Sequence, residues 1–369
     1  MPTIFYSVMG EGRGHAARAR AMVERLRDNH RVVLYSSFDA LEFLRAEYAD
    51  DAEVDVRETP GLKFHYTAGK LDLSRTIREG LSLWWNLKGI AARIAEQIDQ
   101  DGADLVVTDF EPTVARAAHR RGVPVMSLDH QHFLVAYDLS SAPARLQRWA
   151  WAMGWSVWMF GLRPQSTVVS AFYRPPLKPA WRHATQVGPL LRPAVRARRP
   201  SREGHFLTYL RRATTDRELQ ELAALDRPLR AYGLGERKPL GRMTFHAINE
   251  HTFLDDLATC EGVIAAAGNQ LLGEALHFGK PVFALPERSH HEQCLNAHFL
   301  KQMGGGDWAY LEKFRSAEVL AFLDRLEEYR EAIGRIDLSF DGTDDAADAI
   351  EAALATLPQT KQQSQESAP

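Results

Sequence analysis

The chain has 369 residues with 45 Lys and Arg against 48 Asp and Glu, a formal net charge of −3. That length suggests two domains, each burying its own core, and the charge balance argues against a nucleic-acid binder. The two cysteines, Cys260 and Cys294, sit in apolar helical contexts, which excludes a disulfide framework and suggests a reducing, cytoplasmic setting. No secretory signal is read at the N-terminus, and no uncharged run reaches the ~20 residues that span a bilayer. A soluble chain is expected.

In chain order, 3–9 reads as a buried strand, Gly10-Glu11-Gly12-Arg13-Gly14-His15 as a glycine-rich turn, 16–27 as a helix and 31–36 as a second strand. This is a βαβ opening, and its glycine spacing is too irregular for a dinucleotide fingerprint. A long helix over 71–100 carries Leu81, Trp84, Trp85 and Leu87. The strand 103–108 ends in Thr108-Asp109-Phe110-Glu111-Pro112, the place for a catalytic carboxylate in a doubly wound fold. Asp109 is equally suited to cap the helix that starts near Pro112.

The strand 123–128 ends in Asp129-His130-Gln131-His132. These side chains imitate part of a metal cluster, but no further ligands stand at zinc spacing, so no metal is expected. His130 and His132 are read instead as lining for an acceptor pocket.

The segment 145–162 places Trp151, Trp155 and Trp158 at helical spacing after Arg145 and Arg148. It reads as a core helix of the first domain. The second reading is a peripheral contact with the inner membrane leaflet near the acceptor entrance. Proline and arginine crowd 163–202, which reads as a solvated interdomain region with a short strand near Gln186 and Val187. The expected division is therefore 1–163, an interdomain region 164–204, a second domain 205–357 and a disordered tail 358–369.

The second domain opens with the strand 205–210. Arg211, Arg212, Thr214 and Thr215 precede a helix at 216–224, where a diphosphate would find cations, hydroxyls and a helix N-terminus. Strands follow near 229–232 and 243–248. A flexible turn is expected at 304–306, and helices from 316 and near 343.

The rest of the chain is organised around 262–297, GVIAAAGNQLLGEALHFGKPVFALPERSHHEQCLNA. A buried strand turns through Gly268 into a helix headed by Asn269 and Gln270, whose N–H groups favour a diphosphate. Glu274 stands one turn on, suited to a diol. After the next strand, Glu292 and Gln293 open another helix, placed for hydroxyl hydrogen bonds.

The pattern G-x-x-x-x-x-E-A-L-x-x-G-K-P-V-x-x-x-P followed by E-Q-x-x-N-A resembles the donor site of GT-B nucleotide-sugar glycosyltransferases. It is similar to the bacterial and archaeal group allied to UDP-glycosyltransferases and to the N-acetylglucosaminyltransferase of peptidoglycan synthesis. G-E-G-R-G-H-A-A-R and T-D-F-E-P resemble that group's N-terminal signatures. The resemblance implies two Rossmann-like α/β domains facing across a cleft, with acceptor on the first and UDP-sugar on the second. It places the diphosphate on Gly268, Asn269 and Gln270, the ribose on Glu274 and the sugar on Glu292 and Gln293. The base falls in the loop at His246 and Ile248, and Gly12 and Gly14 border the donor.

His15 becomes the base that deprotonates an acceptor hydroxyl in an inverting transfer, oriented by Asp109 or, as second choice, Glu111. The UDP-sugar is a co-substrate; no cofactor is implied, and no D-x-D motif marks a metal. The implied acceptor is a lipid or cell-envelope glycan precursor. A UDP-sugar 2-epimerase of the same architecture and a non-catalytic nucleotide-sugar binder are the alternative readings.

Overall fold

The computed structural model describes residues 1–11, 13–61, 66–67, 70–71, 73–161, 164–211 and 214–356, without the side chains of 13, 66–67, 70–71, 73–84 and 159–161. Gly12, Leu162, Arg163, Arg212 and the 358–369 tail lie outside the described residues, as do the side chains of Leu81 and Trp84.

Short apolar runs buried on both faces make parallel strands, and the first half carries them as β1 (Thr3–Val8), β2 (Arg31–Ser36) and β3 (Val54–Glu58). A separate antiparallel pair, β4 (Tyr66–Thr67) and β5 (Lys70–Leu71), interrupts the run. It resumes with β6 (Leu105–Asp109), β7 (Val125–Asp129), β8 (Ser166–Ser170) and β9 (Thr185–Val187). The resulting seven-stranded sheet has the order β3-β2-β1-β6-β7-β8-β9. The second sheet is built from β10 (Phe206–Tyr209), β11 (Leu229–Tyr232), β12 (Met243–Phe245), β13 (Val263–Ala265), β14 (Val282–Ala284) and β15 (Gly306–Trp308). Its order is β12-β11-β10-β13-β14-β15, again with parallel pairing throughout.

Each sheet is wound outward in both directions from a central strand, and such sheets bind ligands at the carboxyl ends where the strand order reverses. In the first sheet that point lies between β1 and β6, where Val8 pairs with Asp109. In the second it lies between β10 and β13, so the loops after Tyr209 and after Ala265 share one crevice.

Three features differ from the sequence reading. The stretch 166–170, expected inside a solvated linker, supplies β8 to the first sheet, and the short strand expected near Gln186 and Val187 joins that sheet as β9. The supposed flexible turn at 304–306 leads directly into β15, where a Cβ on Gly306 would stand 1.8 Å from the Val282 carbonyl oxygen. Close strand pairing is the reason for that glycine. The helix Thr343–Ala355, grouped by sequence with the second half, packs on the first through Ala346, Ala347 and Ile350. An ion pair from Arg25 to Asp344 (3.0 Å) and a hydrogen bond between His30 Nε2 and Glu351 (2.7 Å) reinforce it.

Each half buries an apolar cluster of its own, and a further cluster is shared between them. One apolar cluster joins Phe133, Tyr137 and Tyr173 of the first half to Leu272, Leu295 and Phe299 of the second. Tyr173 stacks on Phe299 at 4.3 Å. The helix Ala144–Gly161 sends Leu146, Ala150 and Val157 into this cluster. Trp151, Trp155 and Trp158, expected to pack inward, are instead exposed on its opposite side.

The chain crosses between halves twice, and the crossings lie side by side. Gly342 N–H donates to the Pro189 carbonyl (2.9 Å), and Leu191 N–H donates to Thr343 Oγ1 (2.8 Å). A Cβ on Gly342 would fall 2.4 Å from Gly188 N. The helix Asn269–His277 rests on the same place, since a Cβ on Gly273 would stand 2.2 Å from Pro189 Cγ. Gly273→Ala is therefore expected to destabilise the protein by about 1–3 kcal/mol, the usual cost of overpacking. Urea unfolding measures it, and an unchanged midpoint would show that the crossing can shift aside.

Candidate active site

At the first switch point three side chains meet. Asp109 ends β6 and is fully buried. His15 and Arg18 stand one turn apart on the helix Arg13–Leu26, so both face it. His15 Nδ1 lies 3.1 Å from Asp109 Oδ1. Arg18 Nη2 donates to Oδ1 (2.8 Å) and Oδ2 (3.0 Å) of the same carboxylate. Burial pushes the Asp109 carboxyl up, but the charges and hydrogen bonds of Arg18 and His15 outweigh it and hold the pKa at about 2. Asp109 is therefore ionised throughout the physiological range.

Arg18 was not anticipated from the sequence, beyond its place in the quoted G-H-A-A-R string. Its Nη2 also stands 2.8 Å from His15 Nδ1. That nitrogen has two mutually exclusive uses, donating to Asp109 or accepting from Arg18. Only the first leaves Nε2 with a free lone pair. His15 keeps 14% of its side chain exposed, a route for a reacting group.

Capping of the next helix falls to Glu111 rather than Asp109. Glu111 is buried and accepts from Thr113 N–H (2.7 Å) and Val114 N–H (2.9 Å), so both oxygens serve the helix Pro112–Arg121. Burial raises its pKa against those bonds. Phe110 between the two acids takes φ 57°, a left-handed kink that sends their side chains separate ways.

The two expected acceptor histidines have different surroundings. His132 is buried; its Nδ1 lies 2.7 Å from Asp129 Oδ2, which also accepts from Ser127 Oγ (2.6 Å). Its ring meets Trp181 edge-on, so it serves the interior of the first half. His130 donates from Nδ1 to the Ser170 carbonyl (3.0 Å) and stacks on Phe133. Its Nε2 points across the cleft to Glu292 Oε1, 3.9 Å away, without a hydrogen bond. Burial lowers the His130 pKa, and the Glu292 charge opposes that. Among the described residues no group of three or more His, Cys, Asp or Glu is placed to hold a metal ion.

In the second half, a Cβ on Gly268 would meet nothing within 4 Å, so the start of the helix Asn269–His277 is open to close approach. The flanking side chains turn toward the first half. Asn269 Oδ1 accepts from Phe172 N–H (3.3 Å), and Gln270 Nε2 donates to the Leu190 carbonyl (3.0 Å). Glu274 is buried with Oε1 already accepting from Gln270 Nε2 (3.0 Å) and Arg192 Nη2 (2.9 Å). A diol would use its other oxygen or displace Arg192. Arg192 also donates to Glu250, which accepts in turn from Arg20 (2.7 Å). Sequence reading had dissolved Arg192 into a basic linker, and nothing in its local pattern separates it from the neighbouring arginines.

Gln293 is buried with Oε1 accepting from Glu287 N–H (3.2 Å), which shapes the loop before the helix His291–Gln302. Arg211 pairs with Glu287 at 2.8 Å. Thr214 Oγ1 is buried and not hydrogen-bonded, just before the helix Asp216–Ala223. His246 stacks on Tyr232 at 5.3 Å and Ile248 is exposed beyond it. A Cβ on Gly14 would stand 4.0 Å from Arg18 Nη1.

Two parallel doubly wound sheets with charged groups gathered at both switch points have the GT-B architecture, and solved structures agree. The fold matches the Phytolacca americana glycosyltransferase UGT2 complexed with UDP-2-fluoro-glucose and pterostilbene at 12% identity, TM-score 0.70, over 96% of this chain and 99% of that one. It also matches MurG of Acinetobacter baumannii (14%, 0.64, 95% and 100%) and the calicheamicin glycosyltransferase CalG4 (18%, 0.63, 96% and 98%). No curated protein sequence matches the chain significantly. The family model of glycosyl transferase family 1 matches residues 2–327. The chain belongs to that family and is a glycosyltransferase.

Proposed function

We propose that this enzyme moves a sugar from a UDP-sugar to an acceptor hydroxyl with inversion at the anomeric carbon. The observation that carries the reading is His15 beside the buried, ionised Asp109 at the carboxyl edge of the first sheet. With Nδ1–H donated to Asp109, Nε2 takes the acceptor proton as the oxygen attacks the anomeric carbon. The bond to the diphosphate breaks on the opposite face, which inverts that centre.

The departing charge goes to the N–H groups that start the helix Asn269–His277, where Gly268 leaves room, and to Arg211 beside Thr214. Glu274 holds the ribose, and Glu292 with Gln293 reads the sugar. His130, beside Glu292, lines the acceptor side. No metal or cofactor takes part in this scheme. The acceptor we favour is a lipid or cell-envelope glycan precursor met at the cytoplasmic face.

A calorimetric screen of UDP and UDP-sugars, followed by mass spectrometry of acceptor mixtures, tests the reading directly. Glu274→Gln is expected to weaken UDP binding about tenfold or more, the effect of losing a hydrogen bond to a charged group. Equal UDP affinity in the folded variant would remove Glu274 from the ribose.

A further inference from the structure

We infer that the outward face of the helix Ala144–Gly161 is a docking surface for an anionic lipid membrane, on which the helix lies flat. Its inward face is fixed in the shared core by Leu146, Ala150 and Val157, and a Cβ on Gly154 would stand 2.9 Å from Val135 Cγ1. The helix therefore cannot rotate to hide its other side. That side presents Trp151, Trp155 and Trp158, which are 83%, 64% and 69% exposed, with Met153 beside them. Large apolar side chains left this open in a row mark an interaction site.

The chemistry of the face selects its occupant. Trp combines an apolar ring with a polar N–H and is favoured at headgroup level. The helix sequence ARLQRWAWAMGWSVWMFG contains no acidic residue, and its Arg145 and Arg148 are exposed. Cations and indoles without carboxylates complement an anionic interface. A second copy of the chain fits less well. Weighted by those exposures, the three indoles offer roughly 430 Å² at ~200 Å² per full ring, about half of the ~800 Å² per partner in a standard interface. Among the described residues no helix is long and apolar enough to cross a membrane, so the surface is one to lie on.

The helix also touches the cleft. Trp149 stacks on His291 at 5.2 Å, and Arg145 donates to the Arg288 carbonyl (3.1 Å). Both partners flank the start of the helix that carries Glu292 and Gln293. A membrane held on the Trp face would therefore lie close to the cleft. The docking surface stands on exposure and composition alone, so it holds whether or not the sugar donor is a UDP-sugar.

Co-sedimentation of the full chain with vesicles tests it, using phosphatidylcholine alone and an equimolar mixture with phosphatidylglycerol. The mixed vesicles are expected to bind the protein and shift its tryptophan emission to the blue. The triple variant Trp151→Ser, Trp155→Ser, Trp158→Ser is expected to bind at least about tenfold more weakly, with the circular dichroism and melting of wild type. Arg148→Gln should lose roughly fivefold on the mixed vesicles. If the triple variant misfolds, Trp151→Ser alone carries the comparison. No binding to either vesicle, equal binding to both, binding indifferent to these substitutions, or a dimer that the substitutions dissolve would each overturn the proposal.

Discussion

His15→Ala is expected to slow sugar transfer by about 10²–10⁴-fold, the range supplied by a positioned general base, with UDP affinity nearly intact. A sugar or lipid hydroxyl is a poor nucleophile while it keeps its proton, and His15 is the partly open imidazole beside the ionised Asp109. The separation of effects follows from position: His15 belongs to the first sheet, whereas the groups assigned to UDP belong to the second. Single-turnover rates with the identified acceptor, set beside calorimetric UDP binding, make the measurement. Transfer within a few-fold of wild type would move the base to His130, the other imidazole facing the cleft.

The second large effect concerns folding. Arg18→Ala is expected to cost about 3–5 kcal/mol, because it strands the carboxylate of Asp109 in the interior without its strongest partner. Asp109 has a folded pKa of about 2, below the ordinary carboxylate value of 3.8. The sign follows: its ionised form stabilises the fold above about pH 4, and that contribution is lost as pH falls through about 2. The variant should therefore lose stability at neutral pH and show a flatter acid limb in urea titrations. Arg18→Met combined with Asp109→Leu should recover most of the loss, since replacing both partners leaves no orphan charge. A single variant as stable as wild type would mean that water or another cation reaches Asp109.

Much of the architecture is legible in the chain because parallel strands buried on both faces leave nearly unbroken apolar runs, as at 3–8 and 105–109. The loops at their carboxyl ends then announce themselves by glycine, acid and histidine. The segment Ser166–Ser170 escaped because its short run is set among prolines and arginines that suggested solvent. The tryptophan helix misled for a related reason. Periodicity reports that one face differs from the other without saying which is buried; the core reading would have turned the indoles inward, yet the smaller Leu146, Ala150 and Val157 were the ones that fit the core. Arg18 and Arg192 were out of reach by local pattern, since each matters through an acid distant in sequence: Asp109 for one, Glu250 and Glu274 for the other.

The paired crossings at 188–191 and 339–343 act as a spine. Two tethers attached far apart would let the halves twist and slide; two bound to each other, beside the apolar cluster that the halves share, hold the seam at one place. The helix Asn269–His277 sits on that spine through Gly273 and Pro189, so the seam and the open helix start at Gly268 form one unit.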